Sequence, residues 1–210
     1  NKDVLNLPQY DAVSFNDRPL LVLAGAGSGK TRTLTYRVAR MVQDGISPAS
    51  ILLLTFTRRA SQEMLGRASD LLDNRCEDVA GGTFHSFGNL VLRKYASALG
   101  LSSNFAIFDR VDAESLIGML RKELNTATQY RSLARKHTLA NIFSRAVNKM
   151  LPIDDVVYDD YPHLASELDS INGIFHSYQR YKSENYFLDF DDLLVYLQQL
   201  LKNHPDIRDR

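Results

Sequence analysis

The sequence predicts an α/β fold with a second, all-helical subdomain, and three observations carry that expectation. Two continuous apolar runs, Leu20-Leu21-Val22-Leu23-Ala24 and Ile51-Leu52-Leu53-Leu54, suit strands buried on both faces of a parallel sheet. A cluster of glycines follows the first run directly, and helical spacing (Leu34, Val38, Met41, Val42) takes over behind it. From about residue 109 onward the apolar pattern is helical throughout.

Taken in order, the first run reads as a strand, the glycines as a turn, and the stretch behind them as a crossover helix. The second run ends in a polar turn and leads into a helical stretch containing Met64 and Leu65. Gly81-Gly82 before Thr83-Phe84 reads as a tight turn into a third strand. Strand and helix alternate in this way to about residue 98. Beyond it, Leu139, Ile142, Phe143, Ala146, Val147 and Met150 repeat at helical spacing. Leu164, Leu168, Ile171, Phe175 and Tyr178 form a second stripe, and Phe190, Leu193, Leu194, Leu197, Leu200 and Leu201 a third. Asp189 is a candidate N-cap for this last helix, with Asp191 and Asp192 in its first turn. The expected domains are an α/β lobe over 1–98, a helical subdomain over 99–205, and the start of a return to the first lobe over 206–210.

The chain has 210 residues, 44% hydrophobic and 24% charged, which is ordinary for a soluble globular protein and too apolar for disorder. No apolar run approaches the length of a membrane span, and no basic-then-apolar leader opens the chain. The single cysteine, Cys76, excludes an internal disulfide framework and a cysteine-based zinc site. A cytoplasmic location without a membrane partner is the expectation. The net charge of zero is unevenly spread: +3 over residues 1–98, +4 over 99–150 and −7 over 151–210. That division fits either solvated helix faces or one surface that attracts phosphates and another that repels them.

Ala24-Gly25-Ala26-Gly27-Ser28-Gly29-Lys30-Thr31 has Walker A spacing, with alanine where glycine is commoner in first position. Small residues let backbone N–H groups turn inward around the phosphates of a nucleotide. Lys30 would reach the terminal phosphates, Thr31 would offer its hydroxyl to Mg²⁺, and the helix beginning there points its positive end at the anion. Arg32 follows directly and either reaches the nucleotide or stands in solvent. His85, His137, His163, His176 and His204 are too scattered for a metal site, and no serine lies in a Gly-x-Ser-x-Gly elbow.

Three more segments accompany this loop. Leu5-Asn6-Leu7-Pro8-Gln9-Tyr10-Asp11-Ala12-Val13 precedes it, the second strand runs into Leu54-Thr55-Phe56-Thr57-Arg58-Arg59-Ala60, and the expected third strand runs into Gly82-Thr83-Phe84-His85-Ser86-Phe87. With the Walker A segment, they resemble the Q motif and motifs I, Ia and Ib of the UvrD/Rep/PcrA-type superfamily 1 DNA helicases. Asp189-Phe190-Asp191-Asp192-Leu193-Leu194 resembles the end of the helical insert in those proteins, so the likeness spans nearly the whole chain.

The resemblance implies a RecA-like P-loop sheet, ATP and Mg²⁺ as cofactors, and single-stranded DNA, or DNA with a single-stranded tail, as partner. It implies adenine contact by Gln9 and DNA contact by Thr55, Phe56, Thr57, Arg58, Thr83, Phe84, His85 and Ser86. Stacking on Phe56 would tolerate any base. Arg58 and Arg59 stand where the family has a polar amide and a lysine, which keeps the charge and loses the amide. The basic segment over 99–150 adds candidate phosphate contacts at Arg131, Arg135 and Lys136, for which plain solvation is the alternative.

A P-loop motor also needs an apolar strand ending in Asp-Glu, one carboxylate for Mg²⁺ and one for the attacking water. Val156-Val157-Tyr158-Asp159-Asp160 is too short and lies in helical surroundings, and Leu188-Asp189 has no strand before it. The chain therefore reads as the front part of a 3′-to-5′ helicase, its RecA-like sheet incomplete. It is expected to bind ATP, to hydrolyse it poorly without the remaining helicase chain and its second lobe, and to self-associate through bare apolar surface. Two other readings stand beside this one. A small P-loop nucleotide kinase explains the glycine loop but not the Thr-Phe-Thr and Thr-Phe-His-Ser segments. A non-enzymatic module would use the acidic helices for docking.

Overall fold

The computed structural model describes residues 5–16, 18–71, 76, 78–128 and 133–209. The chain folds into two compact units, Asn1–Phe87 and Gly88–Arg210. Together they make a mostly helical α/β protein with two small parallel sheets.

The first unit opens with α1 (Leu7–Ser14) and α2 (Lys30–Gln43), and the glycine loop lies between them, directly before α2. Strand β1 (Leu52–Thr55) follows, then α3 (Arg58–Leu71), strand β2 (Ala80–Thr83) and α4 (Phe84–Tyr95), within which the division between the units falls. β1 and β2 pair in parallel, Leu52 with Ala80 through Thr55 with Thr83. Helix α2 packs on α1 and α3, and Val38, Ile51, Leu53, Met64, Ala68 and Val79 form the core beneath the sheet. Arg37 fixes α2 to α1 by donating from Nη1 to the Ala12 carbonyl at 2.5 Å.

Two expectations for this unit need correction. Residues 20–24 form no strand: the segment has no sheet partner among the described residues, and Leu21 and Leu23 are 82% and 86% exposed. An apolar run becomes a strand only where a neighbouring ladder accepts its N–H and C=O groups, and none does so here. Nor do Gly81 and Gly82 make a turn before a strand; they lie inside β2. There, a Cβ on Gly81 would collide with the side chains of Leu65 and Ser61, so the glycine is what lets α3 close down on β2.

In the second unit the order is β3 (Ala106–Phe108), α5 (Arg110–Thr128), α6 (Lys136–Lys149), α7 (Ile153–Asp160), α8 (Leu168–Glu184), β4 (Phe187–Asp189), α9 (Phe190–Asn203) and the short α10 (Pro205–Arg208). It is not all-helical, because β3 and β4 pair in parallel from Ala106–Phe187 to Phe108–Asp189. The three-residue strands are too short to show a period of two. The helical stripes pack as their spacing implies: Leu139, Ile142, Phe143, Ala146, Ile171, Ile174 and Tyr178 are buried in one core, and Leu193 and Leu200 in another with Leu92, Phe105 and Leu188. Met150 departs from its stripe, ending α6 in the left-handed region (φ 54°) with its side chain exposed.

The corner from α8 through β4 to α9 is held by a buried ion cluster. Lys182, only 2% exposed, donates from Nζ to Asp189 Oδ2 and Asp192 Oδ2, both at 2.6 Å, and lies 4.7 Å from the centre of the Tyr178 ring. The Tyr178 hydroxyl donates to Asp189 Oδ2 at 2.9 Å. Asp189 caps α9 in a reciprocal box with Asp192. Burial works against the Asp189 carboxylate, but the Lys182 ammonium and these hydrogen bonds outweigh it and hold its carboxyl below the ordinary range. Burial and the neighbouring Asp189 charge push the Asp192 carboxyl up. Burial, then the Asp189 charge, push the Tyr178 phenol up, so it remains a donor.

Lys182→Met removes the cation and leaves two buried carboxylates facing each other, so the second unit is expected to lose about 3–5 kcal/mol near neutral pH. Asp189 in the natural protein adds stability that is present above its unfolded pKa and lost as pH falls. In the variant both carboxyls rise instead, which destabilises with increasing pH. The difference between the two proteins should therefore shrink as pH is lowered toward about 4, measured by paired thermal melts.

Candidate nucleotide and nucleic-acid site

The glycine loop is fixed from both of its sides by backbone and capping chemistry. Asn6 caps α1, its Oδ1 accepting from the Gln9 N–H at 3.0 Å while Gln9 Oε1 accepts from the Asn6 N–H at 3.1 Å. The same Gln9 amide donates from Nε2 to the Ser28 carbonyl at 2.9 Å, which ties α1 to the tip of the loop. Within the loop, the Ser28 hydroxyl donates to the Gly25 carbonyl at 2.7 Å. Gly27 and Gly29 take positive φ, 74° and 83°, and Gly29 is the N-cap of α2 without any side-chain cap. A Cβ at Gly29 would also stand 2.8 Å from Gln9 Nε2.

Lys30 begins α2, and its ammonium donates to the carbonyls of Ala24 at 3.0 Å and Gly25 at 2.6 Å. Two of its three N–H donors are thus spent on the loop and one remains. Residues Ala24 to Ser28 are exposed, and a Cβ at Gly25 or Gly27 would meet nothing within 4 Å, so an anion can approach the backbone closely. Thr31 is exposed in the first turn of α2, which carries no acidic residue. These features fit a polyphosphate: exposed glycine loop, helix N-terminus, one ammonium and one hydroxyl on the same turn. Among the described residues no cluster of three His, Cys, Asp or Glu could hold a metal, so a Mg²⁺ ion at Thr31 would depend on phosphate oxygens for further ligands. Arg32 follows on the exposed side of α2, in a shallow cleft with Thr35, Tyr36 and Arg67.

The second and third segments meet each other. Because Thr55 lies opposite Thr83 in register, Phe56 and Phe84 leave the sheet side by side, with ring centroids 5.8 Å apart and planes at 42°. Phe56 is 92% exposed and Phe84 41%. Two solvent-facing phenyl rings at the carboxyl ends of adjacent parallel strands form a tilted apolar pair, at the edge where α/β proteins bind ligands. The hydroxyls around them bond to nearby backbone groups and to one another. Thr55, buried, donates to the Thr57 carbonyl at 2.8 Å, and Thr57 Oγ1 accepts from the Ala60 N–H at 3.2 Å. Thr83 Oγ1 and Ser86 Oγ are 2.9 Å apart, and Thr83 Oγ1 also accepts from the Ser86 N–H at 3.1 Å. His85 is half-buried in the first turn of α4.

Arg58 and Arg59 are exposed in the first turn of α3, which contains no acidic residue. A helix N-terminus disfavours cations, so this placement works against the helix and suits an external polyanion. In the second unit Arg135 and Lys136 are exposed at the start of α6, whereas Arg131 lies outside the described residues. The partners of Gln9 went unassigned in the sequence, although the Asn6-x-x-Gln9 spacing is that of a capping box. Lys182 was equally hidden, its one signal being a lysine in step with the apolar residues Ile171, Ile174 and Tyr178.

The model of the UvrD/REP helicase N-terminal domain family matches residues 5–210. The ATP-dependent DNA helicase PcrA of Leuconostoc citreum is 35% identical over 208 residues, covering 97% of this chain and 27% of that protein. PcrA of Staphylococcus aureus strain Mu50 is 34% identical over 206 residues, again 97% of this chain and 27% of the relative. The chain thus spans about a quarter of the length of these relatives.

Gly29→Ala is expected to strain the loop by about 1–2 kcal/mol through its positive φ. It should also drive the Gln9 amide off the Ser28 carbonyl. Nuclear magnetic resonance should report this as a moved Gln9 side-chain amide signal and faster hydrogen exchange over residues 28–33.

Proposed function

The chain belongs to the UvrD/REP helicase N-terminal domain family, and on that premise we propose that it is the ATP- and single-stranded-DNA-binding part of a 3′-to-5′ DNA helicase. Loop residues Ala24 to Thr31 cradle the phosphates, Lys30 neutralises the terminal ones, Thr31 supplies a hydroxyl for Mg²⁺, and Gln9 reads the base. Arg32 lies next to them for a further contact. The observation that carries the DNA half is the exposed Phe56–Phe84 pair, flanked by Arg58 and Arg59. Bases stack on the rings, and the arginines, Thr57, His85 and Ser86 follow the backbone. Such a surface is indifferent to sequence, as a motor passing along any strand requires.

ATP is the energy source for the whole helicase. This chain contributes binding and orientation: it fixes the triphosphate at the start of α2 and the strand at the ends of β1 and β2. Turnover by the chain alone is expected to be far below helicase rates, because its sequence holds no apolar strand ending in Asp-Glu.

Labelled oligothymidine and a fluorescent ATP analogue test both halves. The natural chain should bind the oligonucleotide with an affinity that falls as salt rises. Phe56→Ala should weaken this by about ten- to a hundredfold, the loss of one stacked base, with ATP affinity unchanged. Lys30→Ala should do the reverse, abolishing ATP binding and sparing DNA. Salt-insensitive or absent oligonucleotide binding, together with tight binding of a nucleoside monophosphate, would instead favour a nucleotide kinase.

A further inference from the structure

We propose that Asn6 is a positioning residue for base selection: its capping box with Gln9, together with the Ser28 carbonyl, fixes which end of the Gln9 amide faces an incoming purine. The proposal rests on the nucleotide-binding reading of the glycine loop and adds to it the device that sets base identity.

A glutamine amide has two N–H donors and two acceptor lone pairs. In this chain one lone pair of Oε1 is used on the Asn6 N–H and one N–H of Nε2 on the Ser28 carbonyl. Turning the amide over would set its NH₂ against the Asn6 N–H and its oxygen against the Ser28 carbonyl, two repulsions in place of two bonds. The amide is therefore held in one sense, and it keeps one N–H and one lone pair in a fixed order on a half-exposed side chain. An adenine edge offers an amino donor beside the N7 acceptor, which matches that order. A guanine edge offers two acceptors, O6 and N7, and would set an oxygen against the amide's lone pair. Selection thus depends on the anchors as much as on Gln9.

Asn6 contributes one anchor through its backbone N–H, and its Oδ1 on the Gln9 N–H keeps that backbone in place. Without the side chain the first turn of α1 loosens, and the amide, tied to Ser28 alone, is able to rotate. Ser28 lies directly before Gly29, so the same chain of bonds connects base recognition to the loop that holds the phosphates.

Fluorescent ATP and GTP analogues and inorganic tripolyphosphate would be titrated against the natural chain, Asn6→Ala and Asn6→Ser, each with its melting temperature recorded. The natural chain should prefer ATP to GTP. Asn6→Ala should reduce that preference by about five- to tenfold, the effect of one misdirected hydrogen bond, with tripolyphosphate affinity unchanged. Asn6→Ser, which retains a capping oxygen, should restore it. An unchanged preference in Asn6→Ala, or parallel loss of ATP and tripolyphosphate, would overturn the positioning role and leave the glycine loop as a phosphate site. Equal binding of ATP and GTP by the natural chain would do so too. Failure of the natural chain to bind tripolyphosphate or either nucleotide would overturn the nucleotide-binding reading itself, and this proposal with it.

Discussion

Strands of four residues, paired in parallel without a slip, bring Thr55 level with Thr83, and every feature of the aromatic platform follows from that register. A shift by one residue would turn each side chain to the opposite face and send Phe56 and Phe84 apart. A two-stranded parallel ladder is weak by itself. It persists because α3 closes over it, and α3 can do so because Gly81 offers no Cβ to Leu65 and Ser61. The core residues Leu53, Met64 and Ala68 then make the closure energetically favourable. A packing requirement at one glycine is thereby connected to the placement of two phenyl rings.

Both units use the same polar device at a helix start. Asn6 with Gln9 opens α1, and Asp189 with Asp192 opens α9, each pair a reciprocal box. In each, the third helical residue has a second bond that leaves the box: Gln9 to Ser28 in one, Asp192 to Lys182 in the other. The neutral version stands at the surface beside the glycine loop. The charged version is buried, where the lysine compensates two carboxylates and the penalty for separating them is high. Chemistry that is common at helix ends thus ties an exposed loop in one place and a buried corner in the other.

Much of this was legible in the sequence because it rests on short-range rules. Glycine spacing located the loop and the start of α2, and apolar spacing located the cores of α6, α8 and α9. The Thr-Phe segments pointed to the strand ends where the paired rings are found. What could not be read depends on partners distant in the chain. Leu20 to Leu23 have the composition of a strand, but composition supplies no ladder, and the segment pairs with nothing among the described residues. β3 and β4 are three residues each and separated by four helices, so neither carries a periodic signal. Lys182 looks like a surface lysine until Asp189 and Asp192 fold over it. The Gln9–Ser28 bond joins residues nineteen positions apart and leaves no mark in either neighbourhood.

The exposed Leu20 to Leu23 segment has a consequence for how the glycine loop is built. Among the described residues no ladder holds the chain in front of the loop, whereas behind it α2 is packed on two neighbours, α1 holds the tip through the Gln9 amide, and Lys30 reaches back to the Ala24 and Gly25 carbonyls. The ties of the loop therefore come from the two helices. Its geometry is inherited from α1 and α2, while the apolar run in front of it stays turned to solvent.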